Sequence, residues 1–225
     1  MKKLVIMSAM ALMAINANAE KVKFEISGVV ADSIKEVVVI VNNDKNSSQK
    51  VTVANGRFNA VGEAEKNDLL NVGHEINRGF NSLVAINDGQ PIKMNFVENT
   101  VSGSSENSAL GNQIKANAAD EGRMAILIKE YRELSKQNTA EADARIKEIM
   151  AEANAIEEKN MKASIEYIKA HKGDVTPVAF IQNVMYELSY NELAEIINPD
   201  VAYFNHPMVA KAKRLMDGLK KRMPG

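Results

Sequence analysis

The sequence predicts an α+β protein, with an N-terminal antiparallel β-sandwich followed by a helical region that contains a long antiparallel helical hairpin. Apolar and polar residues alternate in short runs through the first part of the chain, and turn-forming residues separate those runs. After residue 103 the apolar spacing becomes helical. The chain has 225 residues, 45% of them hydrophobic, which is enough for a substantial core.

The first nineteen residues are expected to be a secretory signal peptide. Two lysines precede the apolar run 4–15, which is too short to span a membrane. Ala17 and Ala19 form the small–x–small pattern that signal peptidase cleaves, here before Glu20. Because the chain has no cysteine to carry a lipid, we expect an exported, periplasmic protein that is not a lipoprotein. We expect no transmembrane segment in the mature chain, and an N-terminal membrane anchor is the alternative.

Residues 20–103 are predicted to form the β-sandwich. Alternation is clearest over 21–27, and a β-branched run at 37–41 ends in a turn cluster. Asn55-Gly56 is the strongest hairpin signal, because both residue types tolerate the positive φ angles of a tight turn. The remaining strand candidates are 69–76, 83–86 and 92–97.

Residues 104–225 are predicted to be helical, with the hairpin at about 107–171 and shorter helices at about 175–223. Apolar residues at three- and four-residue spacing occupy both arms of the hairpin. Between the arms, Asn138 and Glu141 are spaced as in a capping box.

Asn160 interrupts the apolar stripe of the second arm. A buried asparagine at such a position sets register or oligomeric state in some coiled coils. The other interpretation is that Asn160 marks the point where the packing of the hairpin becomes solvated. Both interpretations stay open from the sequence.

The end of the chain is strongly basic. Beyond residue 204 the only acidic residue is Asp217, and apolar residues at helical spacing predict a basic amphipathic helix. This helix is a candidate surface for an anionic lipid face or an acidic partner, and the simpler interpretation is a terminal helix packed on its own domain. Its basic residues are Lys211, Lys213, Arg214, Lys220, Lys221 and Arg222.

Composition argues against several kinds of chemistry. Without cysteine there is no thiolate nucleophile or redox pair, and the isolated histidines 74, 171 and 206 lack metalloprotease spacing. Neither a Walker loop nor a G-x-S-x-G motif is found. The net charge of −1 and the absence of tryptophan disfavour nucleic-acid and sugar binding. We expect no catalytic residues, cofactor, metal site or nucleic-acid partner.

Several short segments, in their order along the chain, resemble a known family. Phe24-Glu25-Ile26-Ser27-Gly28, Asn55-Gly56-Arg57-Phe58 and Asp88-Gly89-Gln90-Pro91-Ile92 are similar to the sandwich called domain of unknown function 4369. Val101–Asn107 resembles the junction to the helical insert of that family, and 165–171 and 188–193 look like its later helices.

In exported bacterial proteins this sandwich often precedes a thioredoxin-like, AhpC/TSA-type domain. A Pro-Gly like Pro224-Gly225 leads into that redox domain, whereas this sequence stops there and has no Trp-Cys-x-x-Cys. The resemblance therefore implies the leader module without its catalytic module.

We accordingly expect a non-catalytic periplasmic binding or interaction module that acts with a protein partner, and a separate thioredoxin-like protein is the candidate partner. One alternative is a structural envelope protein that self-associates through the helical hairpin. Another is a degenerate thiol-disulfide oxidoreductase without its redox domain. A hydrolase that uses an unrecognised serine or carboxylate site is disfavoured, and a deep pocket that holds His74 with a serine and an acid would support it. The oligomeric state stays open.

Overall fold

The computed structural model describes residues 20–76 and 79–222. Ala17 and Ala19 of the expected cleavage site lie outside the described residues, as does Pro224-Gly225, while Glu20 is the first described residue and is exposed. The architecture is α+β, as the sequence predicts: strands forming two sheets come first and helices follow. Within the described part, no helix combines the length and the apolar character needed to cross a membrane.

Eight strands form two four-stranded sheets with the orders β4-β1-β7-β8 and β3-β2-β5-β6. The strands are β1 Lys21–Val29, β2 Glu36–Val41, β3 Gln49–Thr52, β4 Arg57–Glu65, β5 Leu69–Ile76, β6 Gly79–Ile86, β7 Ile92–Asn95 and β8 Thr100–Ser102.

One strand pair departs from the antiparallel arrangement that we expect from the sequence. β1 and β7 run parallel, with Ile26 opposite Ile92, while every other pair described is antiparallel. The chain reaches β7 only after passing through the second sheet, so β7 is not tied to β1 by a short hairpin, and the long connection permits the parallel direction.

Asn55-Gly56 forms the tight turn that the sequence predicts. Their φ angles are 52° and 69°, and the flanking Ala54 and Arg57 exchange two backbone hydrogen bonds of 2.9 and 3.0 Å. The strands on its two sides then separate, because β3 pairs with β2 in one sheet and β4 pairs with β1 in the other. The turn therefore joins the two sheets.

Two phenylalanine rings cover glycines on the neighbouring strand of the first sheet. Phe58 lies opposite Gly28 and Phe24 lies opposite Gly62, and a Cβ at either glycine would fall on the ring. The glycines thus make room for aromatic packing inside the sandwich.

The helices are α1 Ser105–Leu134, α2 Ala140–Ala170, α3 Val178–Val184, α4 Tyr190–Ile196 and α5 Ala210–Lys220. A capping box joins Ser189 and Glu192 at the start of α4. The expected box at Asn138 is wrong, because α2 begins one residue later: Thr139 is the cap and accepts from the backbone N–H of Ala142.

Ion pairs connect α1 with α2. Arg145 contacts Glu130 near the connection between the helices, and Arg123 contacts Glu152 farther along. The ammonium of Lys159 lies 2.7 Å from a carboxylate oxygen of Asp120. These contacts join the helices over part of their length.

The sandwich and the helical region share β5 and β6. Leu70 and Ala85 belong to the core between the sheets, while their chain neighbours Leu69 and Ile86 belong to the core formed with the helices. Successive side chains of a strand point to opposite faces, so this part of the second sheet is buried on both sides.

Asn107 bonds the first turn of α1 to the end of β6. Its side-chain oxygen accepts from the backbone N–H of Ile86 at 2.8 Å, and its amide nitrogen donates to the Ile86 carbonyl at 2.9 Å. Asn107 is 0% exposed. The Asn107 side chain therefore bonds both backbone groups of Ile86 and joins the start of α1 to the end of β6.

Candidate binding site

The basic residues at the end of the chain lie on and after α5, whose apolar side packs on the helical core through Ala212, Leu215, Met216 and Leu219. The ammonium of Lys213 lies 3.3 Å from the ring centroid of Phe204, and that of Lys211 lies 5.2 Å from the ring centroid of Tyr186. Two of the six candidates are thus held against aromatic rings of their own domain. Lys213 is half-buried, whereas Lys211 is exposed, as are Arg214, Lys220, Lys221 and Arg222.

Asn160 lies on the floor of a cleft of about 580 Å³ between α1, α2 and α3. We call this the polar cleft. Its side walls carry acidic and amide side chains, and its floor includes Met161, Ser164, Phe180 and Val184. The acidic and amide residues are Asn117, Glu121, Asn154, Glu157, Glu158, Asn183 and Glu187.

The polar cleft contains carboxylates whose ion pairing can be compared with that of other acids on the same helices. Among the described residues, none of its four glutamates forms an ion pair. Elsewhere on the same helices, Asp120, Glu130, Glu148 and Glu152 are all matched with lysine or arginine. Other acids of these helices, including Glu133, Glu141 and Asp143, also form no ion pair within the described residues, so the lack of pairing is not specific to the cleft.

Two polar groups in the polar cleft are partly or fully buried and have no hydrogen-bond donor among the described residues that offsets the loss of water. The side-chain oxygen of Asn160 is buried and has no hydrogen-bond partner within the described part of the chain. Partial desolvation raises the pKa of the Glu121 carboxyl above its usual value, although the residue as a whole is exposed. Both groups would be better satisfied by a hydrogen-bond donor.

A second candidate surface lies on α1 and α2, nearer to their connection. We call it the distal groove; its volume is about 130 Å³, and apolar and aromatic side chains line it. The rim residues Ile128, Tyr131 and Met150 are 44%, 43% and 53% exposed. Its other lining residues are Met124, Leu127, Ile149 and Ala153.

The histidines occupy three separate environments. His74 is buried against Phe96 with 5.4 Å between ring centroids, and His171 stacks on Tyr167 and bonds to Asp174 at 2.9 Å. The Nε2 atom of His206 lies 3.1 Å from the backbone carbonyl oxygen of Asn67 in the sandwich. Across 20–76 and 79–222, no cluster of three or more His, Asp or Glu side chains is placed to hold a metal ion.

The sequence indicates only part of these sites. Asn160 is visible as a polar interruption of an apolar stripe, whereas the glutamates around it look like ordinary solvated helix residues. Asn107 lies in the junction segment that resembles the known family, but its spacing does not reveal a contact with Ile86, 21 residues earlier in the chain.

No protein-family model, curated protein or solved structure matches this chain. The resemblance to domain of unknown function 4369 stays an expectation based on the segments quoted for it.

Proposed function

We propose that this chain is a non-catalytic interaction module of the bacterial periplasm, and that its distal groove is the surface that contacts a protein partner. The proposal depends chiefly on the exposure of Ile128, Tyr131 and Met150 around an apolar depression. Contiguous exposed apolar surface on a folded protein is typical of contact sites.

The position of the distal groove explains why its rim is exposed. Leu127 and Ile149 are buried, yet neither belongs to the core of the sandwich or to that of the helical region. Here α1 and α2 shield mainly each other, and two helices alone do not cover all their apolar side chains. A helix or loop of another protein that packs across both would bury the rim.

The partner belongs to a class that the resemblance suggests, a separate thioredoxin-like protein of the same compartment. Export follows from the expected signal peptide, and N-terminal sequencing of protein isolated from the cell envelope is the direct measurement. We expect the mature chain to begin at Glu20. A chain that still carries its first nineteen residues would contradict this part of the proposal.

Site-specific crosslinking tests the distal groove. A photoreactive amino acid replaces Ile128 or Met150, and the matched control is Val97, an exposed apolar residue of the sandwich (66% exposed). We expect both groove positions, and not position 97, to give an adduct with the same envelope protein. Adding Met150→Glu to the Ile128 probe should remove the adduct, because burying a charge in an apolar contact is unfavourable.

Met150 is exposed, so Met150→Glu should change the free energy of unfolding by no more than about 0.5 kcal/mol. Equal adducts from all three positions, or none, would contradict the proposal. Adducts between two copies, with sedimentation showing a dimer, would favour the self-associating envelope protein instead, and a monomer at micromolar concentration would exclude it.

A further inference from the structure

We propose that two copies of this chain join their first sheets edge to edge, through antiparallel pairing of β4 with the β4 of the other copy about a two-fold axis at Val61. The pairing uses no residue of the distal groove or of the polar cleft. It is therefore a contact between copies of the chain, separate from the partner contact of the proposed function.

The outer strands of the two sheets differ in length and in cover. β8 and β6 both pack against α1, and β3 has only four residues. β4 has nine residues, and its register with β1 is continuous from Arg57 to Glu65, so this strand contains no bulge. It also contains no proline, and its charged side chains all lie on the exposed face. Native sheet edges are usually protected by a proline, a bulge or an inward-pointing charge, and β4 has none of these over its described length.

Three residues of β4 direct their backbone groups to the free edge. The N–H and the carbonyl of Arg57 both bond to Ala54, at 3.0 and 2.9 Å, so Arg57 does not bond to Val29, the residue opposite it on β1. Opposed residues of an antiparallel pair alternate between bonded and non-bonded. The residues at two-residue steps from Arg57 therefore also point their backbone groups away from β1, and these are Asn59, Val61 and Glu63.

One hydrogen bond in the described part of the chain reaches these edge groups. The side-chain Nε2 of Gln49 donates to the Val61 carbonyl at 3.2 Å. A second β4 strand placed along the edge would take the place of this bond and would also satisfy the remaining N–H and carbonyl groups.

The exposed face of β4 is complementary to itself when the strand is turned about Val61. Arg57 and Glu65 stand four residues on either side of Val61, so each Arg57 would meet Glu65 of the other copy. Asn59 would likewise meet Glu63. Opposite charges directly across two strands are favourable, and both end pairs occur twice because the contact is symmetric. A register shifted by two residues would pair Arg57 with Glu63 and leave Glu65 without an opposed residue.

Val61 lies at the centre of this pairing. It is apolar and β-branched, yet 54% of it is exposed. On the two-fold axis its side chain would lie against that of its own copy, and such cross-strand pairs stabilise a sheet. An apolar centre with a polar and charged rim is also the usual arrangement of a protein contact. The charge pattern, the free backbone groups and the exposed valine thus favour a second copy as the occupant of this edge.

Single cysteines in the mature chain test the register, because the chain has no cysteine of its own. Opposed residues of a bonded antiparallel pair have Cα atoms about 5.5 Å apart, which is within the reach of a disulfide. Under mild oxidation, Val61→Cys should therefore link two copies at least about tenfold faster than Val97→Cys, the exposed control in the sandwich. Asn59→Cys and Glu63→Cys should each link slowly alone and rapidly when mixed, because these two positions face each other only between copies.

Charge reversal tests the two ends of the pairing. Sedimentation equilibrium up to about 1 mM measures the dimer, for which we expect a dissociation constant on the order of 100 μM because the contact is smaller than a standard interface. Arg57→Glu and Glu65→Arg should each weaken the dimer about tenfold, since like charges then face each other at both ends. An equal mixture of the two variants, or both changes in one chain, should restore dimerisation. The control Lys93→Glu reverses an exposed charge of β7, two strands away from the edge, and should leave the dimer unchanged.

Two variants test the backbone groups of the edge. Val61→Pro removes an N–H that does not bond to β1, and proline is tolerated on outer strands, so the circular dichroism spectrum should be unchanged while the dimer is lost. Gln49→Ala frees the Val61 carbonyl and should strengthen the dimer about fivefold, because each copy no longer has to break a hydrogen bond before pairing.

A chain that stays monomeric up to about 1 mM would overturn the proposal. So would failure of the mixed charge variants to recover the dimer, or a mixed disulfide between Asn59→Cys and Val61→Cys that forms faster than the Val61→Cys dimer, since that would indicate the shifted register. A photoreactive residue at position 61 that captures a different envelope protein would assign the edge to another chain and would also overturn self-pairing. None of these results bears on the crosslinks at Ile128 and Met150, so either proposal can fail while the other holds.

Discussion

Replacing Asn107 by leucine should weaken the attachment of the helices to the sandwich more than any change at a solvent-facing residue of α1. The side chain makes two hydrogen bonds to Ile86, of 2.8 and 2.9 Å, in a fully buried position. Leucine can make neither bond, so the N–H of Ile86 would lose its partner, while the carbonyl of Ile86 would keep the backbone N–H of Asp88 at 3.1 Å.

The expected cost follows chiefly from the N–H of Ile86. A buried polar group left without a partner costs about 1–3 kcal/mol, and the added apolar surface of leucine offsets part of that loss. We expect Asn107→Leu to lower the free energy of unfolding by about 2 kcal/mol, measured by urea titration with circular dichroism. The control is Asn112→Leu on the same helix, an exposed position where we expect a change within about 0.5 kcal/mol.

Asn107→Asp gives a second, finer measurement. The carboxylate keeps an acceptor for the Ile86 N–H but loses the donor to the Ile86 carbonyl, and it would lie beside Asp88. It should therefore be destabilising at neutral pH and partly recover where the new carboxyl is protonated. A cost below about 1 kcal/mol for Asn107→Leu would refute the reasoning, because the N–H of Ile86 would then have another acceptor.

Three further changes test other parts of the fold. Gly111→Ala places a methyl group against the backbone carbonyl of Val101, so α1 must shift relative to β8. We expect the free energy of unfolding, measured by urea titration, to fall by about 1–3 kcal/mol, and an unchanged value would contradict the close approach of the two backbones. Tyr203→Phe removes a 2.8 Å bond to a buried carbonyl and should cost about 1–2 kcal/mol, whereas unchanged stability would show that the carbonyl is satisfied otherwise. Burial lowers the pKa of His206 below its ordinary value of 6.5. As the pH falls, the unfolded chain therefore binds the proton before the folded chain does. The contribution of His206 to the free energy of unfolding is complete above pH 6.5 and is lost as the pH falls through the lower pKa of the folded state. When the free energy of unfolding is measured from pH 8 to 5, His206→Asn should reduce its dependence on pH, and an unchanged dependence would exclude the histidine as its source.

Local features of the fold were predictable because their causes are local. The alternation in β1 and the Asn55-Gly56 turn depend on a few adjacent residues. The parallel direction of β7 beside β1 has no such signal, since it depends on the path of the intervening chain through the second sheet.

The candidate sites also divide into local features, which the sequence reveals, and contacts between distant residues, which it does not. Asn160 stands out in sequence because it breaks a stripe, but its cleft combines residues from three helices, and Glu121 and Glu187 are indistinguishable by type from paired acids such as Glu152. Ion pairing, not residue type, separates these two glutamates from Glu152. Pairing is a property of three-dimensional neighbours.

The burial of β5 and β6 on both faces limits how genes encoding this fold can recombine. The serine-rich stretch 102–105 looks like a point at which the sandwich could be exchanged between proteins. A sandwich transferred without its helices would carry Leu69 and Ile86 to the surface, and helices transferred alone would lose the floor on which Leu110 packs. Inheritance of the two halves as one unit is therefore favoured, and an exchange at this junction should succeed only between chains whose helices present a matching apolar face.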